Sequence, residues 1–382
     1  MDGEAGTKGV YPSYFKNTVA SAPEANTFKM ELEAPMSDLL DLLVEMPVAP
    51  RRHLDTIEED LTGTGPYILE ERSDSHMVLE ANREYWGGEA HYTTVNWVKE
   101  GDPSKRLEAL NKGEADIAPG LSIKLHERIG PDVRIAEKES NVCMIYFFNA
   151  QRGPCSDIRV RQALNYGVDK QALIDSALDG AGHPLKGVFS PLSVGYDPDV
   201  PGYPYEPDRA RSLLEDAGYG GGLRLVMNKP YGDGYGTMKL SENLREQYAL
   251  IGVDVEIASY PDSTFGAYSD YVKAKEIDDM AWFDSSPLSS YRVCREKLHS
   301  GYRGAWWEGY SNTNVDTYIN RIERTLDPAK KEILFKDIYR ETWLDPPWLY
   351  LYRPRQFWGI SEKLNTWKPG IDGLVFPYFF PK

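Results

Sequence analysis

The chain has 382 residues, which is enough for two or three domains of ordinary size with a substantial core. Its 43 basic and 59 acidic residues leave a formal charge of −16, the wrong sign for a protein that grips nucleic acid or anionic lipid. Hydrophobic residues make up 41% and charged residues 27%, so the chain is predicted to be globular.

Apolar runs, Gly and Pro positions and helical periodicity predict the elements of the first half. Two predicted strands, at 63–72 and 77–86, form a hairpin. A helical turn is predicted at 106–110 and a strand after it at 116–118, and a further strand is predicted at 144–148. The last of these runs is continuously apolar, which is typical of a buried central strand. Residues 10–55 show no clear repeat, and nothing definite is predicted for them.

From residue 155 onwards helices and strands alternate, which predicts a second α/β lobe around a βαβ unit. Predicted helices lie at 160–167 (capped by Ser156 or Asp157), 170–178 (capped by Asp169), 208–217 (capped by Asp208), 240–251, 264–274, 315–325 and 333–342 (capped by Asp327, with Pro328 at the first position). Predicted strands lie at 223–227, 253–257, 280–283 and 348–352. The segment 180–207 is rich in Gly and Pro and is predicted to be a surface loop.

The first residues, the hydropathy and the cysteines give further expectations. No window approaches the roughly 18 to 20 apolar residues of a membrane-spanning helix. Residues 1–9 contain no apolar stretch, which predicts that this chain has no signal peptide. Three cysteines are an odd count without CxxC spacing, so free buried thiols are expected, with a single disulfide as the alternative: Cys143, Cys155 and Cys294.

The stretch from residue 144, MIYFFNAQRGPCSDIRVRQALNYGVDKQALIDSAL, resembles the peptide, nickel and oligosaccharide class of ABC-transporter solute-binding proteins. The oligopeptide- and dipeptide-binding proteins belong to this class. The agreement continues in the same order through GTGPYILEE, NREYWGG, RLEALNKGEADIA, YEPDRARSLLEDAGY, GYSNTNVDTYI and PPWLYLY. Such collinear agreement is far more specific than any single motif in the chain.

The resemblance implies an α/β fold of two lobes, of the type II periplasmic-binding-protein kind, that encloses a solute when the lobes close. The first lobe is expected at 1–152 and 348–382, the second at 153–347, and two connecting segments at 147–154 and 345–352. Family members begin with a signal peptide, an opening strand and usually a small extra subdomain before the part that matches residues 28–43. This chain is therefore expected to be an N-terminally truncated member whose first lobe is incomplete.

The function implied by the resemblance is the capture of a peptide or a similar small solute, such as an oligosaccharide or an opine. The solute is delivered to the permease subunits of an ABC importer. The full-length protein is expected to be a monomer in the periplasm or attached to the cell surface, with no nucleic acid as a partner. Because the solute leaves unchanged, neither enzyme activity nor a cofactor is expected.

Two alternatives to solute capture stay open. A glycoside hydrolase would also combine many acids with many Tyr and Trp residues, but no pair of carboxylates can be placed on opposite sides of one bond. A truncated remnant that binds nothing is the other alternative. A histidine-built metal site is not expected, because the six histidines lack metal-ligand spacing: His53, His76, His91, His126, His183 and His299.

The segment AWFDSSP, residues 281–287, resembles a ligand-contact segment of the family. In peptide binders the aspartate of that segment pairs with the α-ammonium group of the ligand. The resemblance implies that Trp282 stacks on the solute and that Asp284 binds an amine or hydroxyl group of the solute through a charge-assisted hydrogen bond. The alternative is that Asp284 merely caps the following loop.

Other candidate contacts come from aromatic and cationic side chains. Tyr146 and Asn149 belong to the first connecting segment, where a hinge or packing role is the alternative. Arg303, Trp306 and Trp307 combine stacking surfaces with a cation, which suits a sugar face or a carboxylate. Packing is the alternative there as well. Three further arginines are weaker candidates for an anionic ligand: Arg292, Arg295 and Arg353.

Overall fold

The computed structural model describes residues 14–44, 46, 48–56, 61–231, 237–261, 264–287, 289–303, 306–364 and 367–369. The chain forms two compact units, each built from separate stretches of sequence. Unit 1 comprises residues 1–8, 39–138 and 356–382, and unit 2 comprises residues 9–38 and 139–355. Within the described residues, no helix is long and apolar enough to cross a membrane.

The strands are β1 (Val19–Glu24), β2 (Thr27–Glu31), β3 (Tyr67–Arg72), β4 (His76–Ala81), β5 (Thr94–Val98), β6 (Ile117–Ala118), β7 (Val133–Glu139), β8 (Cys143–Phe148), β9 (Gly182–Pro184), β10 (Leu223–Lys229), β11 (Val253–Ser259), β12 (Met280–Ser285) and β13 (Trp348–Ser361). The α-helices are α1 (Leu39–Val44), α2 (Pro103–Asn111), α3 (Ile158–Tyr166), α4 (Lys170–Leu178), α5 (Pro207–Asp216), α6 (Thr237–Ala249), α7 (Phe265–Lys273), α8 (Ser290–Val293), α9 (Thr313–Glu323) and α10 (Pro328–Leu344). A π-helical turn, Cys294–Leu298, directly follows α8.

Unit 1 contains the predicted hairpin as part of an antiparallel sheet, in the order β3, β4, β5. The helix α2 begins at an Asp102 cap with Pro103 in its first turn. It contains the predicted helical turn at 106–110 and precedes β6, as the sequence predicted. The last part of β13 pairs with β6, through Gly359 opposite Ala118. A cluster of buried side chains forms a core here: Trp358, Ile360, Leu364 and Trp367.

Unit 2 is built on a sheet with the order β11, β10, β12, β8, β13. The strand β10 runs parallel to β11 and β12, and the helix α6 connects β10 to β11, which confirms the predicted βαβ unit. The helix buries one stripe of side chains, Leu240, Leu244 and Tyr248, as its periodicity predicted. The apolar strand β8 lies between β12 and β13, in the central position that its composition predicted.

The two predicted connecting segments lie side by side. Phe147 and Trp348 are opposite each other in the antiparallel pair of β8 and β13, and Phe148 N donates to Pro347 O at 3.3 Å. The compact units divide the chain at 138/139 and 355/356, whereas the predicted lobes divide it at 152/153 and 347/348. The lobe boundaries stay a prediction.

The prediction of a surface loop at 180–207 is wrong. Five of its large apolar residues are buried between the Gly and Pro positions, although Leu192 and Val194 are exposed: Leu185, Val188, Phe189, Val200 and Tyr203. Within the segment, β9 pairs with β13, and the Phe189 ring lies 6.0 Å from the Tyr339 ring in a stacked arrangement. Gly and Pro residues mark turns, but they do not by themselves place a segment on the surface.

The prediction that Asp208 caps α5 is also wrong. The N-cap residue is Glu206, and Pro207 takes the first helical position, where its fixed φ and missing N–H are tolerated. Asp208 lies inside the first turn and forms an ion pair with Arg211. The other predicted caps hold, since the side chains of Asp157, Asp169 and Asp327 accept hydrogen bonds from backbone N–H groups of the helices that follow.

Candidate functional site

The strand β12 places its two candidate side chains on one face of the sheet. Because side chains alternate along a strand, Trp282 and Asp284 share a face with Tyr146 of β8, and Phe283 points to the opposite face. Trp282 is buried, with its ring 6.3 Å from that of Phe265. Asp284 is half-buried near the end of the strand. Trp282 therefore packs inside unit 2, while Asp284 retains exposed surface.

The side chain that lies over the other face is Trp306. Its ring centroid is 4.3 Å from that of Phe283, and its plane is within 7° of the Phe147 plane at 6.4 Å. Trp306 is half-buried, so part of the indole is exposed to solvent. We call these three rings, Phe147, Phe283 and Trp306, the Trp306 platform. A partly exposed indole supported by two buried rings can stack on an apolar or planar group of a ligand.

Two ammonium groups accompany the Trp306 platform. Lys273 Nζ, at the end of α7, is 5.1 Å from the Trp306 ring centroid, and its side chain is exposed. Lys297 Nζ, in the π-helical turn, is 5.8 Å from the centroids of both Trp306 and Phe147. These distances are in the range of cation–π attraction. The platform is thus bordered by positive charge from two different helical elements.

The segment that carries Asp284 is anchored by buried donors. Lys297 Nζ donates to the main-chain oxygen of Asp284 at 3.0 Å. Asn141 Nδ2 donates to Ser286 O at 3.3 Å and to Pro287 O at 3.0 Å. Both donors are almost fully buried, so these bonds are shielded from water. The backbone from Asp284 to Pro287 is therefore held in one conformation.

Tyr146 and Asn149 have internal partners in the structure. The Tyr146 hydroxyl lies 2.9 Å from Ser241 Oγ of α6, and the ring is fully buried. Asn149 Nδ2 donates to Ile277 O and Asp278 O, at 3.1 and 2.8 Å. These bonds fasten the end of β8 to the residues before β12. Contact of either residue with a ligand stays a prediction.

Arg303 and Trp307 form a second, smaller pair near the platform. The Arg303 guanidinium carbon is 5.3 Å from the Trp307 ring centroid, and Arg303 is exposed. Trp307 is half-buried, and its Nε1 donates to Tyr310 O at 2.8 Å. The indole is therefore oriented by its own neighbour, and the guanidinium remains accessible. Their role as ligand contacts stays a prediction.

The three weaker arginine candidates are engaged inside unit 2. Arg292 forms an ion pair with Glu296 at 2.8 Å, and Arg353 forms one with Glu139 at 3.3 Å. Arg295 is stacked between the rings of Tyr14 and Tyr302, with its guanidinium carbon 4.2 and 4.5 Å from their centroids. Each of the three guanidinium groups therefore has a partner within unit 2, and we do not include these arginines among the proposed ligand contacts.

The cysteines are free and buried, as the spacing predicted. Burial raises the pKa of the Cys143 thiol to about 12 and also raises the pKa of the Cys155 and Cys294 thiols above their usual value. They are protonated and behave as small hydrophobic groups. In the described part of the chain, no group of three or more His, Cys, Asp or Glu side chains is arranged to hold a metal ion.

Glu308 is a buried carboxyl group two residues after Trp306. Only 6% of the residue is exposed, and its Oε1 accepts no hydrogen bond from any described residue. Burial raises the pKa of Glu308 to about 8, against the opposing charges of Lys275 and Arg152. Because the unfolded carboxyl ionises near its ordinary value of 4.5, stability from this group is full below that pH and is lost as the pH rises towards 8.

Replacing Glu308 with Gln is therefore expected to stabilise the protein in a pH-dependent way. The variant cannot ionise, so its free energy of unfolding should exceed that of the parent by more than about 1 kcal/mol at pH 8.5. Near pH 4, where the carboxyl group is protonated in both states, the two proteins should be nearly equal. Urea unfolding at both pH values measures this difference, and an equal effect at the two values would contradict the assignment of a neutral buried carboxyl.

Several of these residues were not recognised in the sequence. Phe147 and Phe283 lie within apolar strands, and the alternation of those strands could have shown that Phe283 and not Trp282 shares a face with Phe147. Lys273, Lys297 and Asn141 carry no local signal, because a buried or bridging role depends on residues far away in the chain.

The sequence and the fold were compared with known proteins. The family model of bacterial extracellular solute-binding proteins, family 5 Middle, matches residues 4–291. The chain is 27% identical over 355 residues to the glutathione-binding protein GsiB of Pectobacterium atrosepticum, covering 89% of this chain and 69% of that protein. It is 26% identical over 352 residues to di/tripeptide-binding protein 2 of Pseudomonas aeruginosa, covering 89% of this chain and 64% of that protein.

A solved structure shows the same fold. The oligopeptide-binding protein AppA of Bacillus subtilis, in complex with a nonapeptide, matches with a TM-score of 0.82 and 19% identity, over 98% of this chain and 79% of that chain. This likeness confirms the predicted α/β, two-lobe periplasmic-binding-protein fold. Since the family model spans most of the sequence, this chain belongs to the bacterial extracellular solute-binding proteins of family 5, the class of ABC-importer binding proteins that its sequence resembles.

Proposed function

We propose that this chain captures a peptide or a similar small solute outside the cytoplasm and delivers it to the permease of an ABC importer. Names of relatives support the solute class, since those proteins are named for glutathione and for di- and tripeptides. The proposed partners are the solute and the permease subunits, and the proposed state is a monomer.

The observation that carries this proposal is the Trp306 platform, which two ammonium groups border. The exposed part of Trp306 can stack on a planar or apolar part of the solute. Asp284, whose side chain lies on the opposite face of β12 near the end of the strand, is proposed to accept a hydrogen bond from a donor group of the solute. The pair Arg303 and Trp307 provides a cation and a second ring for the remainder of the solute. We include Trp282, Tyr146 and Asn149 as residues that shape this site from within, and their direct contact with solute stays a prediction.

The proposed activity is binding without chemical change. The relatives are solute-binding proteins and not enzymes, and none of the comparisons favours the glycoside-hydrolase alternative. A hydrolase needs two carboxylates about 5 to 10 Å apart across one bond.

Isothermal titration calorimetry with di- to pentapeptides, cello-oligosaccharides and opines tests this proposal. One class is expected to saturate a single site, with unchanged solute recovered by mass spectrometry. Trp306→Ala should weaken binding by about tenfold or more, because the stacking surface is lost, and Asp284→Ala should weaken it similarly.

The matched control is Trp86→Ala, which removes an indole of unit 1 that is 82% exposed and should leave the affinity unchanged. Products released from any of these ligands would refute the binding role. If Trp306→Ala bound the solute with the affinity of the parent protein, the Trp306 platform would not be part of the binding site.

A further inference from the structure

Lys297 is an unusual cation because it is almost fully buried. Only 3% of the residue is exposed, and its Nζ lies 5.8 Å from the ring centroids of both Phe147 and Trp306. Its hydrogen bond goes to an uncharged acceptor, the main-chain oxygen of Asp284. A buried ammonium group loses its hydration, and this costs free energy unless a nearby negative charge offsets it.

The charges around Lys297 identify Asp284 as the group that offsets it. Burial lowers the pKa of Lys297, while the carboxylates of Asp284 and Glu296 raise it. Glu296 is already committed, since it pairs with Arg292 at 2.8 Å and accepts a hydrogen bond from the Tyr14 hydroxyl at 3.0 Å. Among the described residues, no carboxylate lies within 4 Å of Lys297 Nζ, so Asp284 acts through space and not through a direct ion pair.

This arrangement has a consequence for the ligand. A carboxylate by itself attracts an ammonium group of a solute. A second ammonium group fixed in the protein close to that carboxylate repels the solute ammonium, but it does not repel an uncharged hydrogen-bond donor. Lys297 is almost fully buried and hydrogen-bonded to the backbone, so we expect its charge to stay in place when a solute binds.

We propose that Lys297 sets the charge selectivity of the site: it offsets the charge of Asp284, so that Asp284 accepts a hydrogen bond from an uncharged amide or hydroxyl group in preference to an ammonium. The solute class is then a peptide-like molecule that presents no free amine at Asp284, such as an N-acylated peptide. This inference rests on the proposed function, because it requires that Asp284 contact the solute.

Asn141 provides a control of a different kind. It anchors the carbonyl groups of Ser286 and Pro287, next to Asp284, but it carries no charge. We regard Asn141 as a positioning residue and Lys297 as a residue that determines specificity. A change at Asn141 should disturb the shape of the site equally for every ligand, whereas a change at Lys297 should alter the ratio between charged and uncharged ligands.

The experiment is calorimetry of the full chain at pH 6.5 with two probes, trialanine and N-acetyl-trialanine. The parent protein is expected to bind the acetylated probe more tightly. In Lys297→Met the ratio of the two affinities should shift towards trialanine by about tenfold, since one repulsive charge is removed. Lys297→Arg keeps the charge and should show the same ratio of the two affinities as the parent protein. Asn141→Ser should lower the affinity for both probes by the same factor.

The outcomes separate the two proposals. If both probes bind and Lys297→Met leaves their ratio unchanged within twofold, the selectivity role is overturned while solute capture stands. A parent protein that prefers trialanine also overturns it. If neither probe binds to the parent protein or to any variant, capture of peptides and the selectivity role fall together. Should Lys297→Met not unfold cooperatively, Lys297→Gln, which keeps a donor without the charge, carries the same expectation.

Discussion

Replacing Arg161 with Met is expected to lower the free energy of unfolding by about 3 to 5 kcal/mol. Arg161 is buried in α3 and forms an ion pair with Asp345. Its guanidinium also donates to Pro346 O and to Cys155 O, each at 2.9 Å. The substitution would leave a carboxylate and two carbonyl oxygens without this donor in surroundings that exclude water, which is the costly way to break a buried pair.

Arg159→Met is the matched control for Arg161→Met. Arg159 lies in the same helix and also pairs with a carboxylate, that of Asp157, but its side chain is 45% exposed. Water can replace the lost contacts there, so the cost should be much smaller than that of Arg161→Met. Urea unfolding of both variants measures the difference. Similar losses for the two arginines would show that the burial of Arg161 is not the reason for its effect.

Gly195→Ala is the second substitution with a large expected effect. Gly195 has a φ of +88°, in the left-handed region, and an added Cβ would lie 2.1 Å from Phe335 Cβ of α10. Both the backbone and the packing must therefore change. We expect a loss of about 3 kcal/mol in the free energy of unfolding, the sum of an unfavourable φ and an overfilled core.

Gly218→Ala separates the two contributions. Gly218 has a φ of +92°, but an added Cβ would meet no heavy atom within 4 Å. Only the conformational cost remains, and it should be about 1 kcal/mol. Thermal and urea unfolding of the two variants test the comparison. If Gly218→Ala were as damaging as Gly195→Ala, the close approach of Phe335 would not explain the larger loss.

Most helices and strands of unit 2 could be predicted because their signals are local. The helix α10 begins at Asp327 and Pro328, and α7 begins at Thr264, each with a capping bond from the expected kind of side chain. The βαβ unit from β10 to β11 was predicted from periodicity alone. The segment 180–207 was mispredicted because its burial depends on α10 and β13, which lie far along the chain.

The candidate site was predicted only in part. The sequence pointed to Trp282 and Asp284 in one segment and to Trp306 in another. In the sheet, the alternation of β12 places Trp282 and Asp284 on one face, whereas Trp306 packs on Phe283 of the other face. Stacking of Trp306 on Phe147 joins residues that are distant in sequence, and no local pattern encodes that contact.

Residue order alone was sufficient for the family, for most helices and strands of unit 2 and for most of the capping side chains, since each of these depends on neighbouring residues or on collinear motifs. A lysine at position 297, in contrast, looks like any charged residue of a surface helix. Packing against Phe147 and Trp306 removes its hydration and brings it to the carbonyl of Asp284. The cost of a buried charge, and with it the inferred selectivity, is a property of surroundings that only the folded chain assembles.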